Sequence, residues 1–239
     1  MSEHHESAGS NRPFDVPRFA ESCIEAAGDA WAASFDHPFV LAIADGSLPA
    51  DRFRYYQMQD ARYLEGFSDA AALISVRCPE PSAKLWFIDA ARLALVVEGD
   101  LHAGYGRRLG YTPGDVAAVE LGPVTRAYRD HMVTAAQSGT LVEAIAALTP
   151  CPWLYTDLGA HLLARIGRIP EDHPYADWLA LYSSADFSDY MQRMLVLLEQ
   201  AADAADDAAR QRARDAFHTS ARYEWMFWEQ AWRLEPWPV

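Results

Sequence analysis

The chain has 239 residues, 51% of them hydrophobic, and a formal net charge of −14. That length and apolar content supply one sizeable core or at most two small ones. Without any Lys/Arg-rich run, neither a nucleic acid nor an anionic membrane surface is expected as partner. Three cysteines, Cys23, Cys78 and Cys151, are odd in number, far apart and without CxxC spacing, which excludes a disulfide framework and a zinc knuckle.

Residues 1–12 are polar, lack the apolar stretch of a signal peptide and read as a disordered tail before one domain over 13–239. From there almost every segment repeats at helical period. Residues 19–35 place Phe19, Cys23, Ala27 and Trp31 on one face, and 37–49, with His37-Pro38 and Asp45-Gly46, read as a turn-rich exit. Residues 50–75 carry Tyr56, Tyr63, Phe67, Ala70 and Ile74, and 82–109 form another long helix stopped by Gly110. Thr112-Pro113-Gly114 reads as a turn. Helices are then expected at 123–138, 140–148 and 151–166, at 173–182 and 187–202 after a loop closed by two prolines, and at 208–232. No strand, internal repeat or glycine-rich phosphate loop is found, so the expectation is a single all-α domain of eight or nine helices. No apolar run reaches the roughly 18 residues that span a bilayer, and a soluble, cytoplasmic protein is expected.

The chemistry concentrates in a few places. Pro152 marks a helix start at about Cys151, which puts the thiol where the helix dipole favours thiolate. Tyr155 follows one turn later on the same face. Taken alone, a single Cys in a helical chain is a small buried apolar residue; its neighbours make the case for function. Tyr56, Asp60, Tyr63 and Phe67 form one stripe, and an aspartate within it is costly to bury unless paired. Asp60 is either a structural residue bonded to a helix end or to Arg62, or an acceptor for an amino group on a flat ring walled by Tyr63 and Phe67. Glu224 sits in a run with Tyr223, Trp225, Phe227 and Trp228, surroundings that raise a carboxyl pKa toward acid/base range. Tyr128 and Tyr182 complete the set, the latter before a break between helices.

Glu98 and His102, at i, i+4, could ligate a metal only if a matching set recurred on another helix. His131, His161 and His218 do not supply one, so an ordinary helix ion pair is expected there and no metal.

Five motifs in order, His37-Pro38-Phe39, Gly46-xx-Pro49-xx-Arg52-Phe53-x-Tyr55, Gln59-Asp60-xx-Tyr63-Leu64, Pro150-Cys151-xx-Leu154-Tyr155 and Glu224-xx-Phe227-Trp228, resemble the TenA/thiaminase-II family. The resemblance spans 19–237. It implies an all-α bundle of the heme-oxygenase-like type, assembled as a homotetramer. It implies hydrolysis of 4-amino-5-aminomethyl-2-methylpyrimidine to the 5-hydroxymethyl pyrimidine in thiamine salvage, with cleavage of thiamine itself as a further activity, and no cofactor. By the same resemblance Cys151 is the nucleophile, Glu224 the acid/base, Asp60 the pyrimidine-binding carboxylate, and Tyr63, Tyr128, Tyr155 and Tyr182 pocket tyrosines that orient the substrate or bond the thiol. Cys151 places the chain in the cysteine-containing branch. Two other readings stand beside it: a pyrimidine-binding or regulatory protein without turnover, and a heme-oxygenase-like metal oxidase using Glu98 and His102.

Overall fold

Proline and glycine punctuate a chain that is otherwise helical wherever it is described. The structure, a computed structural model, describes Arg12 and residues 14–239, the side chains of 97–100 excepted. The expected tail, apart from Arg12, and the side chain of Glu98 therefore lie outside the described residues. Arg12 itself donates from Nε and Nη2 to the buried Asp157.

Twelve helices occur among the described residues: α1 (Arg18–Ala27), α2 (Asp29–Ala32), α3 (Pro38–Ala44), α4 (Ala50–Ser75), α5 (Pro81–Leu109), α6 (Pro113–Ala118), α7 (Pro123–Ser138), α8 (Leu141–Leu148), α9 (Pro150–Ile166), α10 (Ala176–Tyr182), α11 (Ala185–Asp203) and α12 (Asp207–Arg233). The long helices fall where periodicity puts them. The excess over eight or nine comes from short pieces. Gly28, at φ +49°, splits the expected 19–35 helix into α1 and α2. Two segments read as turns instead open helices at proline. In α3 the His37 ring accepts from the Phe39 N–H, and in α6 Thr112 and Asp115 cap each other reciprocally. Proline at the first helical position needs no N–H partner there, so the same dipeptide fits a turn or a helix start.

α4 and α5 are joined by residues 76–80 and pack along much of their length; α7, α8 and α12 close the bundle around α4. The core is strongly aromatic, with Trp153, Trp178, Trp228, Tyr56, Tyr128 and Phe53 all fully buried. No helix among the described residues is long and apolar enough to cross a membrane.

Candidate active site

A cavity of about 420 Å³ opens between α4, α5, α9 and the start of α11. Cys151, Asp60, Tyr155 and Tyr182 line it, together with Leu64, Phe67, Phe187 and Tyr190. Three further expected residues, Tyr63, Tyr128 and Glu224, sit behind that lining and are buried. All seven form one connected set.

Cys151 is in the first turn of α9, as Pro152 predicts, but the helix start is not isolated. α8 ends at Leu148, and Thr149 between the two helices keeps helical dihedrals, φ −59° and ψ −38°. Pro150 and Pro152 lack the N–H groups that would continue the ladder, so the chain bends here instead of stopping. The negative end of α8 therefore lies beside the positive end of α9, and the expected dipole effect on the thiol is partly cancelled. The group that meets the thiol directly is Tyr63, whose hydroxyl interacts with Cys151 and also donates to Met132 Sδ at 3.3 Å. Tyr63 is thus a partner of the thiol and of Tyr128, at 4.9 Å between ring centroids, more than a wall for a substrate. Phe67 does line the cavity.

α12 is docked against the same bend. Ser220 Oγ donates to the Ala147 carbonyl at 2.7 Å, and one turn later Glu224 faces inward, 2% exposed. Tyr128 Oη donates to Glu224 Oε1 at 2.6 Å. Burial dominates this carboxyl: its pKa is pushed up to about 8, the Tyr128 hydrogen bond working against the rise and the charge on Asp60 adding to it. Near neutral pH the folded protein therefore keeps a proton on Glu224.

Tyr155, one turn after Cys151, exchanges a hydrogen bond with Tyr56 at 2.9 Å, and Tyr56 also accepts from Trp178 Nε1 at 3.2 Å. Its ring meets Tyr182 at 4.6 Å. Tyr182 is placed by a close backbone approach: a Cβ on Gly159 would lie 2.3 Å from the Tyr182 carbonyl oxygen, so only glycine lets α10 settle on α9 there. Ser184 then caps α11 by accepting from the Phe187 N–H, which brings Asp186 and Phe187 to the cavity rim.

Asp60 is 5% exposed and is bonded neither to a helix end nor to Arg62. Arg62 turns to the Ala117 carbonyl and to Glu65. Among the described residues the ion-pair partner of Asp60 is His102 on α5, Nε2 to Oδ2 at 3.3 Å; the expected pair of His102 with Glu98 falls on a side chain outside the described residues. Sequence reasoning did not join His102 to Asp60, and it placed Tyr56 in the apolar stripe of α4 without its hydrogen bond to Tyr155. The i, i+4 spacing drew attention to Glu98, and a contact that crosses the α4–α5 seam has no local signal in the sequence.

With the geometry in hand, the comparisons have a frame. The model of the TENA/THI-4/PQQC family matches residues 24–234. The chain belongs to this family. An aminopyrimidine aminohydrolase of Halalkalibacterium halodurans is 33% identical over 220 residues, covering 92% of this chain and 97% of that protein. A solved TenA homologue from P. horikoshii superposes with a TM-score of 0.82 at 29% identity, covering 90% of this chain and 98% of the other. A domain with a heme oxygenase-like fold from Shewanella denitrificans gives a TM-score of 0.67 at 10% identity over 90% of this chain and 92% of its own, a likeness of fold alone. The family fold is therefore an all-α bundle of the heme-oxygenase-like type.

Proposed function

We propose that the protein is an aminopyrimidine aminohydrolase of thiamine salvage, with Cys151 as nucleophile and Glu224 as acid/base. One observation carries the reading. The Cys151 thiol opens on a cavity shared with Asp60, and through Tyr63 and Tyr128 it is linked to a carboxyl that burial keeps protonated. The name of the Halalkalibacterium halodurans relative supports the substrate class.

The chemistry follows from those placements. An aminopyrimidine is electron-poor, and a proton or strong hydrogen bond from Glu224 to a ring nitrogen makes the adjacent carbon accept a nucleophile. The Cys151 sulfur adds to that carbon, forming a C–S bond and breaking the ring's aromaticity, and the thiol proton passes to the amine that is to leave. Ammonia leaves from the 5-methylene as an exocyclic alkene forms. Water adds to the methylene, the C–S bond breaks, the aromatic ring returns and Glu224 recovers its proton. Asp60 accepts from the 4-amino group, and Phe67 and Tyr155 bound the ring. Every bond is made and broken by groups of this chain, the substrate and water.

A homotetramer and a cytoplasmic setting belong to the same proposal. Leu85, Ile88, Leu95 and Val96 form an exposed apolar stripe on α5 of the kind an assembly covers.

The decisive experiment is mass spectrometry of the product from 4-amino-5-aminomethyl-2-methylpyrimidine, wild type beside Cys151→Ser. The hydroxymethyl pyrimidine is expected from wild type, and at least about a thousandfold less from the serine variant with its melting temperature little changed. Near-wild-type turnover in Cys151→Ser removes the nucleophile assignment. Tight binding without product in wild type makes the protein a pyrimidine binder.

A further inference from the structure

An ionised carboxylate in an apolar cavity needs a positive partner, because burial penalises its charge by several kcal/mol in rough terms. Asp60 has one ion-pair contact among the described residues, the His102 ring. That ring is 6% exposed, and among the described residues neither Nδ1 nor Nε2 makes an aligned hydrogen bond. Gln57, one turn before Asp60 on α4, is also fully buried, with neither amide atom hydrogen-bonded among the described residues.

The backbone under the ring is fixed. Tyr111, beyond the end of α5, folds back and donates from Oη to the His102 carbonyl at 3.1 Å. It can do so because Gly106 has no side chain; a Cβ there would lie 2.9 Å from the Tyr111 carbonyl oxygen. As packing alone, an imidazole with both nitrogens unbonded is inferior to leucine, since each unsatisfied buried group costs about 1–3 kcal/mol. As the partner of the Asp60 carboxyl, it has a use.

We propose that His102 is a positioning residue for Asp60, engaging Oδ2 so that the carboxyl presents an acceptor to the cavity, which then selects an amino-substituted heteroaromatic ring over its oxo counterpart. The proposal rests on the pyrimidine reading and deepens it. A carboxylate offers only lone pairs, so it accepts from an exocyclic N–H and repels the lone pairs of an oxo oxygen. A neutral carboxyl can turn its O–H toward the oxo group, and the discrimination falls.

The test is calorimetric binding of 4-amino-5-hydroxymethyl-2-methylpyrimidine and its 4-oxo counterpart to wild type, His102→Leu, His102→Gln, Asp60→Asn and the Asp60→Asn/His102→Leu double variant, with melting curves for each. In His102→Leu the amino-over-oxo preference is expected to fall about 10- to 100-fold. His102→Gln, whose amide can still donate to Oδ2, restores most of it, and His102→Leu adds nothing in the Asp60→Asn background. If the leucine variant melts early, His102→Phe, closer in volume, takes its place. An unchanged preference in a folded variant overturns the assignment, as does an equal loss in the Asp60→Asn background. A wild type that binds neither ring overturns the pyrimidine reading itself, an outcome visible before any variant is compared.

Discussion

Two buried carboxyls stand at one cavity, Asp60 in its lining and Glu224 behind it, and the seams that hold them are built on opposite principles. On the α4–α5 seam Asp60 faces an imidazole that can carry positive charge. On the α7–α12 seam Glu224 faces a phenol, which offers a hydrogen bond and no charge, and burial lifts its pKa to about 8. The two sites are also coupled, since the charge on Asp60 adds to the rise at Glu224. The difference teaches that residue type does not assign the role of a carboxyl; its partner and its solvation do.

The comparison breaks most completely at Glu224. Glu224→Gln removes the proton donor and is expected to lower kcat by about 10²- to 10⁴-fold, read by steady-state kinetics. It also tests the sign of the linkage. The folded state keeps a proton up to about pH 8, whereas an ordinary glutamate releases it near 4.5. Stability should therefore fall as pH rises from about 4.5 to about 8, by about 1.4 kcal/mol for each unit of pKa difference. Denaturant unfolding at several pH values is expected to show that decline in wild type and its loss in Glu224→Gln, the variant being the more stable one above pH 8. Activity of the wild type should fall as pH rises through the Glu224 pKa.

Asp60→Asn acts on the other seam. It exchanges an acceptor for a group that is half donor, and KM for the aminopyrimidine is expected to rise about 10- to 100-fold. It also takes a negative charge from the neighbourhood of Glu224, so the alkaline limb of the pH profile moves to lower pH. A limb that stays in place breaks the coupling between the seams. The smallest effect belongs to Tyr128→Phe. Losing the hydrogen bond that restrains the Glu224 pKa moves the same limb to higher pH and costs about 1 kcal/mol of stability by denaturant titration.

Much of this was legible along the chain because local rules govern it. Pro152 marks the start of α9 in its first turn, Gly110 ends α5 with a left-handed residue at φ +71°, and Asp60 stands out as a polar break in an apolar stripe. A carboxyl among aromatic residues announces a raised pKa before any coordinates exist. What was not legible depends on neighbours remote in sequence. The thiol's place at a helix start is a local fact, but α8 running into that start through a helical Thr149 alters the electrostatics. His102 is an unremarkable histidine until α5 lies beside α4. Pro38 and Pro113 fit a turn as well as a helix start, and the caps that decide between them involve the His37 ring in one case and the paired side chains of Thr112 and Asp115 in the other.

The contact at Gly159 reaches beyond packing. With the backbone of Tyr182 resting where a side chain would stand, the seam between α9 and α10 leaves no room for a ring at that point. Half-exposed Leu93 on α5 lines the cavity together with Phe187 and Tyr190 on α11. Were rings to enter and leave between them, a departing product would stand in the path of the next arrival.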